Sequence, residues 1–100
     1  MKVKISRSAA KVLQEELNKE ENAGLKVRVQ VSHRHGDHAH YALGLDEAAD
    51  NDVVVTTDKG IDVLLEKNEP LLDGVRIDYF YLPEEGFLIT NPSKGNLGDH

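Results

Sequence analysis

The chain contains no cysteine, no tryptophan, a single methionine and only five aromatic residues. The lack of cysteine excludes disulfides, thiolate metal ligation and cysteine nucleophiles outright. No apolar run approaches the roughly 18–20 residues that a membrane-spanning helix needs, so no membrane is expected as a partner. The opening MKVKISRSAAK lacks the apolar core of a secretion signal, which makes a cytoplasmic location the expectation. The 12 basic residues are scattered among 18 acidic ones, for a net charge of −6, so the basic footprint of nucleic-acid binding is missing. An acidic surface repels phosphate backbones and mildly favours cations. Also absent are the Gly-x-Ser-x-Gly elbow, the phosphate-binding glycine loop and the dinucleotide fingerprint. The chain reads as a binding protein and not as an enzyme.

What is present suits one small folded domain. At 100 residues, with 39% hydrophobic and 30% charged side chains, the composition is that of an ordinary globular protein. Ser6 or Ser8 is the expected N-cap of an amphipathic helix over AAKVLQEELNKEEN, with Ala9, Val12, Leu13 and Leu17 on one face. LKVRVQVS and YALGLD then alternate, the first with Leu25, Val27, Val29 and Val31 inward, the second with Tyr41, Leu43 and Leu45 inward. DEAADND is an acidic loop, VVVTTD a third strand, and Asp58-Lys59-Gly60 a turn. IDVLLEKN fits both periods and is read as a strand running into a helical turn near Glu69-Pro70-Leu71. VRIDYFYL, with Val75, Ile77, Tyr79 and Tyr81 on one face, and FLIT form a hairpin about Pro83-Glu84-Glu85-Gly86. One helix and six or so short strands imply a β-rich α+β fold over residues 1–92. The Gly-rich residues 93–100 are expected to be a loosely ordered tail.

The order of motifs resembles the HesB/IscA family, the A-type proteins of iron–sulfur cluster assembly. ISRSAAKVLQEEL is similar to the family's opening helix, DEAADNDVVVTTDKG to its acidic loop, strand and turn, and LLDGVRIDYFYLPEEGFLITNPS to its most recognisable signature. The resemblance spans nearly the whole chain. It implies a HesB-like pseudo-barrel of short strands with an N-terminal helix, homo-oligomers, and contacts with iron–sulfur assembly proteins. Family members hold iron or clusters with three cysteines, one in a Ser-Gly-Cys-Ser-Gly loop and two in a C-terminal Cys-Gly-Cys. The first falls here near Arg34 or His35, in a loop about two residues longer; the others fall on Leu97-Gly98-Asp99, with His100 next. Since thiolates hold most clusters, a conventional thiolate-bound iron–sulfur cluster is not expected.

In place of the first cysteine loop stands SHRHGDHAHY, which carries four of the chain's five histidines. In extended backbone His33 and His35 share a face, as do His38 and His40, and a hairpin about Gly36-Asp37 brings the pairs together. Neutral imidazole binds zinc and ferrous iron readily. His33, His35, His38 and His40, with Asp37 assisting, are therefore the candidate ligands for a divalent transition metal, iron or zinc. Such binding releases protons and weakens as pH falls through about 6–6.5, where imidazole ordinarily charges. Two other readings stand beside it, a solvated loop without a task and a pH-sensitive partner contact. A protein-interaction module that kept the fold and lost cluster binding is the rival function. Paired carboxylates among Asp73, Asp78, Glu84 and Glu85 are read as turn and surface residues. The Tyr79-Phe80-Tyr81 run is read as strand packing and not as a base-stacking platform.

Overall fold

The computed structural model describes residues 1–35 and 38–92, with the side chains of His35 and His38 excepted. Strand β1 (Val3–Ile5) leads into helix α1 (Arg7–Leu17). A long ribbon follows, β2 (Lys26–His35) and β3 (His38–Asp46), and then β4 (Asp52–Thr56) and β5 (Asp62–Glu66). A 3₁₀ turn at Pro70–Leu72 precedes the hairpin of β6 (Val75–Phe80) and β7 (Gly86–Thr90). The strands make two sheets, one ordered β1-β6-β7 and the other β3-β2-β5-β4. This is the β-rich α+β architecture that the motif order implies.

Local chemistry accounts for the helix. Ser6 is the N-cap, its Oγ accepting from the Ala9 amide at 3.2 Å, while Ser8 Oγ donates to the Tyr79 carbonyl at 2.9 Å and fastens the helix to β6. Ala9 and Leu13 are buried. The helix ends at Leu17, a turn earlier than its sequence pattern predicts, because Glu20–Asn22 winds into a separate 3₁₀ turn and Asn22 Nδ2 donates to the Glu16 carbonyl at 2.7 Å. Three residues are too few for a periodicity, so β1 escapes sequence reading. Its Val3 and Ile5 are nevertheless buried, pairing in parallel with Val75 and Ile77. The double character of IDVLLE has a structural cause. β5 lies between β2 and β4 with Val63, Leu64 and Leu65 all fully buried, and a strand covered on both faces shows no alternation.

Two polar clusters fix the connections, the first between the sheets and the second within one of them. Asn91, fully buried, donates through Nδ2 to the carbonyls of Leu71 at 2.8 Å and Asp73 at 2.9 Å. The Leu71 carbonyl also accepts from Tyr41 Oη at 2.8 Å. The 3₁₀ turn thus joins β3 of one sheet to the end of β7 in the other. Asp73 in turn accepts from the Lys2 amide at 2.8 Å, and Gly74 takes up φ +92°, which only glycine adopts freely. The second cluster organises the acidic loop. Arg28 donates to both Asp52 oxygens at 2.7 and 2.6 Å, to Asp46 at 3.0 Å and to the Glu47 carbonyl at 3.2 Å. Asp52 also accepts from the Ala49 amide at 2.7 Å.

The Arg28 hydrogen bonds, and after them the Ala49 amide, hold the Asp52 carboxyl below the usual carboxylate range despite its burial. Asp62 is also lowered, chiefly by the Thr56 hydroxyl and then by Lys26. A carboxyl whose folded pKa lies below the unfolded value, about 3.9, stabilises fully above that value and loses its contribution as pH falls through the folded one. The urea midpoint is therefore expected to drop on acidification below about pH 4. Asp52→Asn is expected to be less stable at neutral pH and to lose less over the same acid range. An equally steep acid loss in the variant would show that Arg28–Asp52 is not its main source.

Candidate metal site on the β2–β3 ribbon

The sequence-predicted ligands lie at the outer end of the β2–β3 ribbon. Backbone pairing sets His33 opposite His40, Arg34 opposite Ala39, and His35 opposite His38, so that two residues join the strands. Lower down, Val31 pairs with Tyr41 and Val29 with Leu43. Between these two registers lies a bulge that accommodates Ser32 as the extra residue.

The bulge resolves a conflict of parity. A two-residue connection fixes pairs whose numbers sum to 73, as in His35 with His38. The buried face instead needs odd paired with odd, Val31 with Tyr41, a sum of 72. A single register cannot satisfy both, because a slip of one residue turns every side chain to the other face. With Ser32 taken out of the count, alternation resumes on the far side. Ala39 is buried and Arg34 pairs with Glu69 beside the 3₁₀ turn, so these two belong to the inner face. His33 and His40 are exposed on the outer face, their ring centroids 6.0 Å apart and their planes tilted by 44°. His35 and His38 are the next cross-strand pair but one in the backbone register.

Glu69 anchors the inner side. Its Oε1 accepts from the Leu71 amide at 3.2 Å while its other oxygen pairs with Arg34, so the ribbon end is tied to the turn that Tyr41 and Asn91 also engage. Neither the bulge nor this ion pair was among the sequence expectations. The bulge has a sequence signal, the mismatch between a two-residue connection and odd-to-odd alternation, whereas the Arg34–Glu69 pair, 35 positions apart, has none.

Of the predicted ligands, the structure brings together His33 and His40 by side chain, and His35 and His38 by backbone register. Asp37, the remaining candidate, lies outside the described residues, as do Asp99, His100 and the whole tail expected over 93–100. Among the described residues no group of three or more His, Asp or Glu side chains is already gathered around one point. A thiolate-held cluster does not fit this chain, which has no cysteine. Imidazole donors on one ribbon face suit borderline divalent metals instead. Two imidazoles on one zinc, each with Zn–N near 2.0–2.1 Å, have centroids about 5–6 Å apart, a spacing that the His33–His40 pair approaches.

Beside the ribbon, β3, β7 and α1 enclose a cleft of about 520 Å³. Leu43, Leu45, Phe87 and Ile89 line it together with Glu16 and His40. With its two sheets and one amphipathic helix, the architecture is similar to the crystal structure of Escherichia coli SufA, a protein involved in biosynthesis of iron–sulfur clusters. The TM-score is 0.65 over 90% of this chain and 80% of that one, at 22% identity. The chain has the HesB-like fold. Likeness at that identity carries the fold alone. No protein-family model and no curated protein matches the sequence. Among the described residues no helix is long and apolar enough to cross a membrane. The signature residues of the HesB-like resemblance have structural tasks here: Asp73 and Gly74 shape a turn against Lys2, and Asn91 bridges to that turn.

Deleting Ser32 is expected to leave His33 opposite His40, because the hairpin count and the hydrophobic alternation then agree without a bulge. Cross-strand nuclear Overhauser contacts between His33 and His40 should persist in the deletion variant. Their replacement by contacts between His33 and Ala39 would contradict a bulge at Ser32.

Proposed function

We propose that this HesB-like protein binds a divalent transition metal, zinc or ferrous iron, on the outer face of the β2–β3 ribbon through His33, His35, His38 and His40, with Asp37 assisting. In this role it acts as a metal-handling accessory to iron–sulfur metabolism, with assembly proteins as its partners, and it works by reversible ligation and not by catalysis. The bulge at Ser32 supports the reading above all else, because it sets His33 opposite His40, with His35 opposite His38 in the same backbone register. The fold shared with SufA supports the metabolic setting, since that protein is involved in making iron–sulfur clusters. Ligation requires neutral imidazole, so binding releases protons and fails in acid.

Calorimetric titration of zinc and, anaerobically, of ferrous iron into tag-free protein at neutral pH tests this. Submicromolar binding at fixed stoichiometry is expected. His33→Ala/His40→Ala is expected to weaken it by at least about 100-fold, the scale of losing principal ligands. Weak, non-saturating heat, unchanged in the variant, would reduce the ribbon tip to a solvated loop.

A further inference from the structure

The β6–β7 hairpin carries four of the chain's five aromatic residues, Tyr79, Phe80, Tyr81 and Phe87. Three of them, with Leu82, are open to solvent: Phe80 is 47% exposed, Tyr81 53%, Leu82 83% and Phe87 38%. Sequence periodicity places Tyr81 inward with Val75 and Ile77, but β6 stops at Phe80 and Tyr81 stands beyond its end. The rings are ordered against one another. Tyr79 lies edge-on to Tyr81 at 5.2 Å between centroids and to Phe87 at 4.8 Å. Phe80 sits across from Gly86, where even an added Cβ would meet nothing within 4 Å. Isolated exposed apolar residues are ordinary, whereas a contiguous group of aromatics on a polar rim marks an interaction surface.

The rim has one sign of charge. Arg76 already bonds Asp78 through Nε at 2.9 Å, while Glu84 and Glu85 are exposed and pair with no cation among the described residues. Partial burial, and after it the neighbouring Glu85 carboxylate, push the Tyr79 hydroxyl up, so that charge lies near the rings. Exposed ring faces beside carboxylates attract Lys and Arg head groups, through the ring quadrupole and by direct pairing. The same carboxylates repel phosphate, so base stacking on these aromatics is disfavoured. We propose that the β6–β7 hairpin is a docking surface for a segment of a partner protein in which basic residues are interspersed with apolar ones. The apolar side chains cover Tyr81, Leu82 and Phe87, and the basic ones meet Glu84 and Glu85. This surface is independent of the histidine ribbon and stands whether or not metal binds there.

Nitrogen-15-labelled full-length protein is titrated with two short synthetic peptides that share their leucines and alternate them with lysine in one and glutamate in the other. The lysine peptide is expected to shift amides between Tyr79 and Phe87 saturably, and the glutamate peptide to leave them unmoved. Tyr81→Ser and, separately, Leu82→Ser should weaken binding about tenfold while the remaining spectrum stays native, because both side chains are exposed. Glu84→Gln/Glu85→Gln should weaken it and flatten its salt dependence. The proposal is overturned if both peptides bind alike, if the shifts fall elsewhere or survive the substitutions, or if the hairpin proves covered by a second copy in a dimer that Tyr81→Ser dissolves.

Discussion

The ribbon of β2 and β3 must satisfy two counts that disagree by one residue. Burying Val27, Val29 and Val31 against Tyr41, Leu43 and Leu45 demands one register, and a two-residue connection at the tip demands another. A register slip would expose the whole apolar face, so the mismatch has to be absorbed locally. Ser32 absorbs it. All that distinguishes the ribbon tip from an ordinary extension of the sheet follows: the histidine positions gather on the solvent face while Arg34 and Ala39 turn inward.

The inner face then holds that arrangement in place. Arg34 meets Glu69, Glu69 caps the turn at Pro70–Leu72, and the Leu71 carbonyl collects Tyr41 and Asn91. Removing a buried partner from such a cluster costs on the order of 1–3 kcal/mol, since the group left behind is unsolvated. The ribbon tip is thus anchored to the body through its inner face, which leaves the outer face free to vary in sequence. The fold shared with SufA, a protein involved in biosynthesis of iron–sulfur clusters, has here no thiolate, while Asp73, Gly74 and Asn91 have tasks in turn and sheet closure.

Much of this was legible in the sequence. Alternation places β4 and β6 within two residues and β2 and β3 within three, Ser6 is one of the two caps the sequence offers, and Glu69-Pro70-Leu71 marks the 3₁₀ turn. Illegible were features that depend on distant partners. β1 is too short to show a period and exists because β6 offers an edge. α1 stops early because Asn22 finds the Glu16 carbonyl. Tyr81, in phase with buried neighbours, runs past the end of its strand. The histidines themselves were plain, but their common face depends on a bulge visible only when hairpin count and burial pattern are compared.

The central claim is that one ribbon face presents His33, His35, His38 and His40 to a single metal ion. Imidazole nitrogen resonances followed during a zinc titration test it most directly, because each ring reports separately. Stoichiometric zinc is predicted to shift the four ribbon imidazoles together, with His100 moving little. Response by His100 alone, or by fewer than three of the ribbon histidines, would contradict that claim.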